Sequence, residues 1–275
     1  MTKRKSISCL NALDLKLLAM VLMFCDHLWA TVIPGATWLT NIGRIAFPIF
    51  AFQIAEGFEK TSNVGRYIKR MLFFALLSEI PYDIMMVGVA PIRAIFRELT
   101  DLFTGGDFSA NYFFRSLLGL MTHQNVMFTF LLALLLLQFL RWVKGKSKLL
   151  FVVMLPVAAF AGYFAGQLLF VDYHGEGVLM VLLFWLCRQL PMGWIGELVG
   201  MAIINCWMIG GMTIPFTVLG HTFQFPQQGF ALLALLPIWL YNGKQGPHNR
   251  AIQLMGYAFY PVHILILSLL AIYDL

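Results

Sequence analysis

Long apolar runs, broken by short basic or mixed segments, fill the chain from end to end. Runs such as LLALLLLQFL (131–140) are continuous. A membrane β-strand would alternate apolar and polar residues, so the helix is the better fit. A crossing needs roughly 20 residues. On that scale nine runs read as transmembrane helices: 13–33, 38–58, 71–89, 122–142, 149–170, 177–190, 194–212, 226–241 and 252–273. The sixth and eighth are short, which leaves eight to ten spans open. The expected class is therefore all-α: a polytopic helical bundle forming one domain over 1–275, with no internal repeat and no linker. The stretch 90–121 mixes Arg93, Arg97, Glu98, Asp101, Asp107 and Arg115 with Phe and Leu. It reads as an amphipathic segment lying on the outer face.

Composition names the solvent. Hydrophobic residues make up 60% of the chain and charged residues 12%, with mean hydropathy +0.79. Soluble domains carry roughly 25% charged residues, so the bilayer is the expected surroundings. The net charge of +6 does not point to nucleic acid, because the cations sit in short loops between apolar runs. In the nine-span layout the segments 59–70, 141–148 and 242–250, together with Arg188, fall on the side of the amino terminus. Basic loops face inward, which predicts a cytoplasmic amino terminus. The basic-then-apolar start has no small-residue cleavage site and reads as an uncleaved first span. Cys9, Cys25, Cys187 and Cys206 stand singly. They form neither a disulfide framework nor a metal-ligand spacing, and no metal is expected.

Ionisable residues within a span are costly and mark function by default. His27 lies six residues before the outer end of the first span and Arg44 six after the start of the second, each roughly 9 Å deep at ~1.5 Å per residue. Asp26 adjoins His27. Asp83 and Glu79 fall in the third span, Asn125 near the outer end of the fourth, and His263 near the middle of the last. Lys16 precedes His27 by eleven residues, almost three turns, which sets both on one helix face about 16 Å apart. That arrangement suits a long cofactor with its phosphates at the inner surface and its reactive end deep, next to an imidazole able to act as a general base. The bland alternatives are an Asp26–Arg44 ion pair that fixes packing, a core histidine at 263, a solvated His174, and Glu56 or Glu79 paired with Lys60, Arg66 or Lys69.

The strings LDLKLLAMVLMFCDH (13–27), GRIAFPIFAFQIAEGF (43–58), LLSEIPYD (76–83), HQNVMFTFLLALLL (123–136), DYHGEGVL (172–179), QGFALLALLPIWLYNGKQG (228–246) and FYPVHILIL (259–267) resemble the TraX family, in its order and from the first span to the last. The resemblance implies a membrane-embedded N-acetyltransferase of the bacterial cytoplasmic membrane, similar to the transmembrane acyltransferases that draw on acetyl-coenzyme A. Founding members of the family acetylate the amino terminus of conjugative pilin. Lys16, His27, Arg44 and the aromatic run 47–52 occupy matching positions, and His263 matches the histidine after the Tyr-Pro of the last span. On this basis Lys16, Arg66, Lys69 and Arg70 are expected to contact acetyl-coenzyme A, and His27 to act as the base. Asp26 or Asp83 is expected to orient the imidazole, and Arg44 or Asn125 to stabilise the oxyanion. The acceptor is an amine or hydroxyl on the outer side, such as a pilin amino terminus, a glycan or another envelope molecule. A small-molecule transporter and a non-catalytic scaffold for envelope assembly are the competing readings.

Overall fold

A computed structural model describes residues 9–218, 220–247 and 249–272. The basic head of the first span, with Lys3, Arg4 and Lys5, lies outside the described residues, as does His248.

The chain enters through a short extended segment. Leu10 donates to Leu240 O (3.2 Å) and accepts from Asn242 N–H (2.8 Å), which ties the entry to the loop carrying NGKQG. Helix α1 (Ala12–Thr31) starts at a capping box. The Asn11 side chain accepts from the Leu13 N–H at 2.9 Å and the Asp14 N–H at 3.2 Å, and Asp14 accepts from the Asn11 N–H at 2.9 Å. Such a cap stabilises a helix by about 1 kcal/mol. The expected second span is broken into α2 (Thr37–Gly43) and α3 (Ala46–Lys60), with Arg44 at the break. Helix α4 (Val64–Val87) is capped by Asn63.

Helices α5 (Ala90–Thr104) and α6 (Ala110–Met121) make up the amphipathic stretch. Phe96, Phe103 and Phe114 are exposed on it, while Glu98 turns inward and accepts from the Ser109 N–H at 2.6 Å. Then come α7 (Val126–Lys146), α8 (Lys148–Leu168) and α9 (His174–Cys187). Buried Leu134, Leu137 and Leu140 of α7 pack in one core with Ile49 of α3 and Trp185 of α9. Helix α8 stands outermost, with Val152, Val157 and Phe160 exposed.

The expected seventh and eighth spans differ from prediction. The seventh is α10 (Gly193–Ile203), a π turn (Ile204–Met208), and then a β-hairpin, β1 (Thr213–Val218) with β2 (His221–Pro226), paired antiparallel. Apart from that two-stranded hairpin the described elements are helical, in keeping with the all-α expectation. The eighth is a 3₁₀ helix (Gln227–Ala234) followed by the short α11 (Leu235–Trp239). Helix α12 (Arg250–Ile272) closes the described chain and packs on α4 and α1. Pro81, Pro156 and Pro261 lie inside α4, α8 and α12 without breaking them.

Among the described residues three helices, α7, α8 and α12, are long and apolar enough to cross a bilayer. A fourth is added if α4 and α5, bent by 115°, form one span. Helix α1 has the length but carries Asp14, Lys16 and Asp26 within one stretch, and α4 alone carries Arg66, Lys69, Arg70, Glu79 and Asp83. Of these charges Lys16, Asp26 and Arg70 line the cavities of the candidate site.

Candidate active site

Two histidines from opposite ends of the chain meet between α1 and α12. His27 Nδ1 and His263 Nε2 are 2.7 Å apart. The rings are parallel within 8° with centroids 5.0 Å apart, so they meet edge to edge, as an in-plane hydrogen bond requires. His263 Nδ1 lies 2.6 Å from the Phe259 carbonyl one turn back on α12. A carbonyl only accepts, so His263 carries its proton on Nδ1 and offers the Nε2 lone pair. His27 then donates from Nδ1, and in the neutral ring the Nε2 lone pair is left free. A base needs that lone pair, and the geometry fixes the tautomer that provides it.

Beside this pair, the Arg44 guanidinium grips the Asp26 carboxylate through one terminal nitrogen. The Thr40 carbonyl and hydroxyl hold Arg44 in turn, at 3.3 and 3.1 Å. Gly43 makes the approach of α2 to α1 possible, since a Cβ there would sit 2.4 Å from Asp26 Cβ. A second tight contact sets the loop that faces Asp26. An added Cβ at Gly175 would lie 2.2 Å from the Tyr163 carbonyl, so α9 starts directly against α8. The loop between them holds Phe170, Tyr173 and His174 in left-handed backbone, a conformation that concentrates at functional sites.

A cavity of about 370 Å³ leads toward this centre. Lys16, Lys60, Arg70 and Tyr241 stand at one end, and Met23, Phe50, Val126 and Tyr260 at the other. The last four also wall a smaller chamber of about 50 Å³, which adds Asp26, His27, Asp172 and Tyr173. Lys16 makes no hydrogen bond or ion pair among the described residues. The Arg70 Nε is buried with no partner there, and its guanidinium stands 5.8 Å from the Tyr67 ring and 6.0 Å from the Tyr257 ring. Lys60 bonds the Tyr241 hydroxyl at 2.6 Å and Glu56 at 2.9 Å.

Residues 12–271 match the family model described as TraX protein. The chain belongs to the TraX family. The match runs from the start of α1 nearly to the end of α12 and so takes in both cavities. A curated relative, the probable fimbrial assembly protein FimC, serogroup H1, of Dichelobacter nodosus, is 28% identical over 102 residues, 34% of this chain and 42% of that protein. This chain therefore aligns with less than half of the relative's length. No solved structure matches.

In this TraX-family chain the expected site residues divide into those at the centre and those away from it. His27, Asp26, Arg44 and His263 come together as described. Asp26 bonds Arg44, and the ring nitrogen of His27 is held by His263 rather than by a carboxylate. Asp83 is buried on α4 one turn beyond Glu79, and it lines neither cavity. Asn125 caps α7, accepting from the Met127 N–H at 3.0 Å and donating to the Ala75 carbonyl at 2.8 Å and to Glu79. Its amide is spent on packing α4 against α7. Arg44 lies behind Asp26 and off the chamber wall. Of the expected donor contacts Lys16 and Arg70 line the cavity, while Arg66 and Lys69 are exposed and do not.

Four residues not singled out for the site also stand at these cavities: Lys60 and Tyr241 at the basic end, and Asp172 and Tyr260 in the chamber. Burial pushes the Asp172 carboxyl above its ordinary range, and Arg44 opposes that rise. The signal for Asp172 was present in the DYHGEG string (172–177), whose carboxylates read as an outer loop. Glu176 of that string is instead buried, bonded to Tyr163 at 3.2 Å and Gln167 at 3.1 Å.

Proposed function

We propose that this chain is a membrane-embedded acetyltransferase with His27 as its general base. It moves an acetyl group from acetyl-coenzyme A, entered from the cytoplasm, to an amine or hydroxyl acceptor on the outer side. The nine-crossing layout with a cytoplasmic amino terminus belongs to this proposal, and puts the Lys16 end of the cavity inside. The observation that supports it best is the continuity of walls from a cationic mouth to the free Nε2 of His27.

The residues present suit such a donor. The unpaired Lys16 and the unpartnered Arg70 Nε supply charge for phosphates at the mouth, and the apolar walls beyond them suit an extended thiol arm. The donor supplies the acetyl as a thioester. His27 Nε2 accepts the proton of the acceptor nitrogen or oxygen as that atom bonds the carbonyl carbon. The carbon–sulfur bond breaks, and the proton passes from His27 to the departing sulfur. His263 holds the imidazolium through Nδ1–H while it lasts. The Asp26–Arg44 pair fixes α1 against α2, so that His27 keeps its place. The relative's name, a fimbrial assembly protein, fits an acceptor among envelope proteins such as a pilin amino terminus.

The test is the purified chain in lipid nanodiscs and in sealed vesicles, with acetyl-coenzyme A labelled in the acetyl group and an envelope extract as acceptor. Label fixed covalently on an acceptor is the expected result. Label crossing the vesicle unchanged would make the protein a transporter, and neither outcome with an intact fold would make it a scaffold.

A further inference from the structure

The chamber beside His27 has more negative than positive side chains. Its wall carries two carboxylates, Asp26 and Asp172. One guanidinium stands near both, and it is committed to Asp26. His174 faces the loop at longer range, exposed and outside the chamber. The relay that gives His27 its free lone pair leaves both imidazoles neutral.

Asp172 is nonetheless held firmly. Its N–H donates to the Gln124 carbonyl at 2.8 Å, its carbonyl accepts from the Thr129 hydroxyl, and its Oδ1 accepts from the Tyr173 N–H at 3.0 Å. Among the described residues no side chain donates to its carboxylate. The surrounding walls are aromatic. Tyr173 stacks on Phe47 with centroids 3.8 Å apart, and Tyr260 closes the far side. A half-buried carboxylate that no cation contacts is costly, and aromatic faces attract cations. At about 50 Å³ the chamber admits a group the size of a few waters, each needing roughly 10–15 Å³.

We propose that Asp172 receives the acceptor's ammonium group and makes the site select primary amines over hydroxyls. This rests on the acetyltransferase reading. An arriving ammonium supplies the charge the chamber lacks. Asp172 accepts hydrogen bonds from the ammonium, which first loses one proton through His27 Nε2 to solvent. The resulting amine attacks the thioester carbonyl as His27, neutral again, takes a second proton. The carbon–sulfur bond breaks and that proton passes to the departing sulfur. A hydroxyl brings no charge and leaves Asp172 uncompensated.

The experiment uses paired probes that differ only at the reacting atom. They are a short peptide with a free amino terminus against the same peptide ending in glycolyl, phosphatidylethanolamine against phosphatidylglycerol, and glucosamine against glucose. The full chain should acetylate at least one amine and disfavour its hydroxyl partner. Asp172→Asn keeps an oxygen for the Tyr173 N–H. It should lower kcat/KM for that amine roughly 10- to 100-fold, the scale of a lost hydrogen bond to a charge, mainly through KM, and should collapse the amine preference. A misfolded fraction would lower both partners equally and leave the preference unchanged. The proposal is overturned if no amine is acetylated, if wild-type protein shows no amine preference, or if Asp172→Asn keeps it. Hydroxyl transfer that is lost in His27→Gln would overturn this assignment and leave the acetyltransferase reading standing. Absence of both transfer and acetyl-coenzyme A binding would remove that reading as well.

Discussion

Replacing His263 by Phe removes the acceptor for the His27 Nδ1–H and keeps a ring of similar size on α12. The lost contact is the 2.7 Å bond between the two imidazoles. During proton transfer that bond is made to an imidazolium, and hydrogen bonds to charged groups contribute roughly 1.5–3 kcal/mol. Loss of an interaction made mainly in the transition state lowers kcat, here by roughly 10- to 100-fold at 1.36 kcal/mol per decade. The unpaired donor also removes the preference for the tautomer with a free Nε2. His263→Gln offers an oxygen to the same N–H and should recover part of the rate. The assay is single-turnover transfer of labelled acetyl, with the dissociation constant of acetyl-coenzyme A measured separately. The expected result is a fall in rate with binding unchanged, larger for Phe than for Gln. A Phe variant that is well folded and transfers at the wild-type rate would refute the relay. So would equal losses in Phe and Gln, because packing rather than hydrogen bonding would then explain the effect.

At the cavity mouth, Lys16→Ala and Arg70→Ala should each weaken acetyl-coenzyme A binding in a direct titration, while the exposed Arg66 and Lys69 should matter less; the reverse order would move the phosphate site. In whole cells, single cysteines replacing Lys144 or Lys244 should react with an impermeant thiol reagent only after permeabilisation, and one replacing Asp107 should react in intact cells. Labelling of Lys144→Cys from outside would invert the proposed topology. Burial raises the Asp172 pKa above 3.8, so in the acceptor-free protein its ionisation costs stability, and the cost appears as pH rises through the raised value. Asp172→Asn should therefore melt above wild type at neutral pH, with the gap closing on acidification. A gap that widens toward acid would contradict that sign.

What the sequence made legible followed helix geometry. Equal depth on adjacent helices foretold the Asp26–Arg44 pair, and the eleven-residue spacing set Lys16 at the larger cavity and His27 at the chamber that shares its walls. The His27–His263 bond spans 236 positions, and no local pattern states which helix lies beside α1. Periodicity could have separated the donor contacts, because Tyr67, Arg70 and Met71 line the cavity at helical spacing while Lys69 faces away. Asp172 was hidden because a loop carboxylate looks solvated until the Gly175–Tyr163 contact folds the loop inward. The hairpin at 213–226 fills the stretch between the expected seventh and eighth spans, to which the hydropathy pattern assigned no element.

The central claim is that the Nε2 of His27 takes the acceptor's proton. Its most direct test is His27→Gln in the full chain, with acetyl transfer and acetyl-coenzyme A binding measured on the same preparation. Loss of a general base costs roughly 10²–10⁴-fold, so transfer should nearly vanish while binding is retained. A well-folded His27→Gln that binds the donor and transfers acetyl near the wild-type rate would contradict the account.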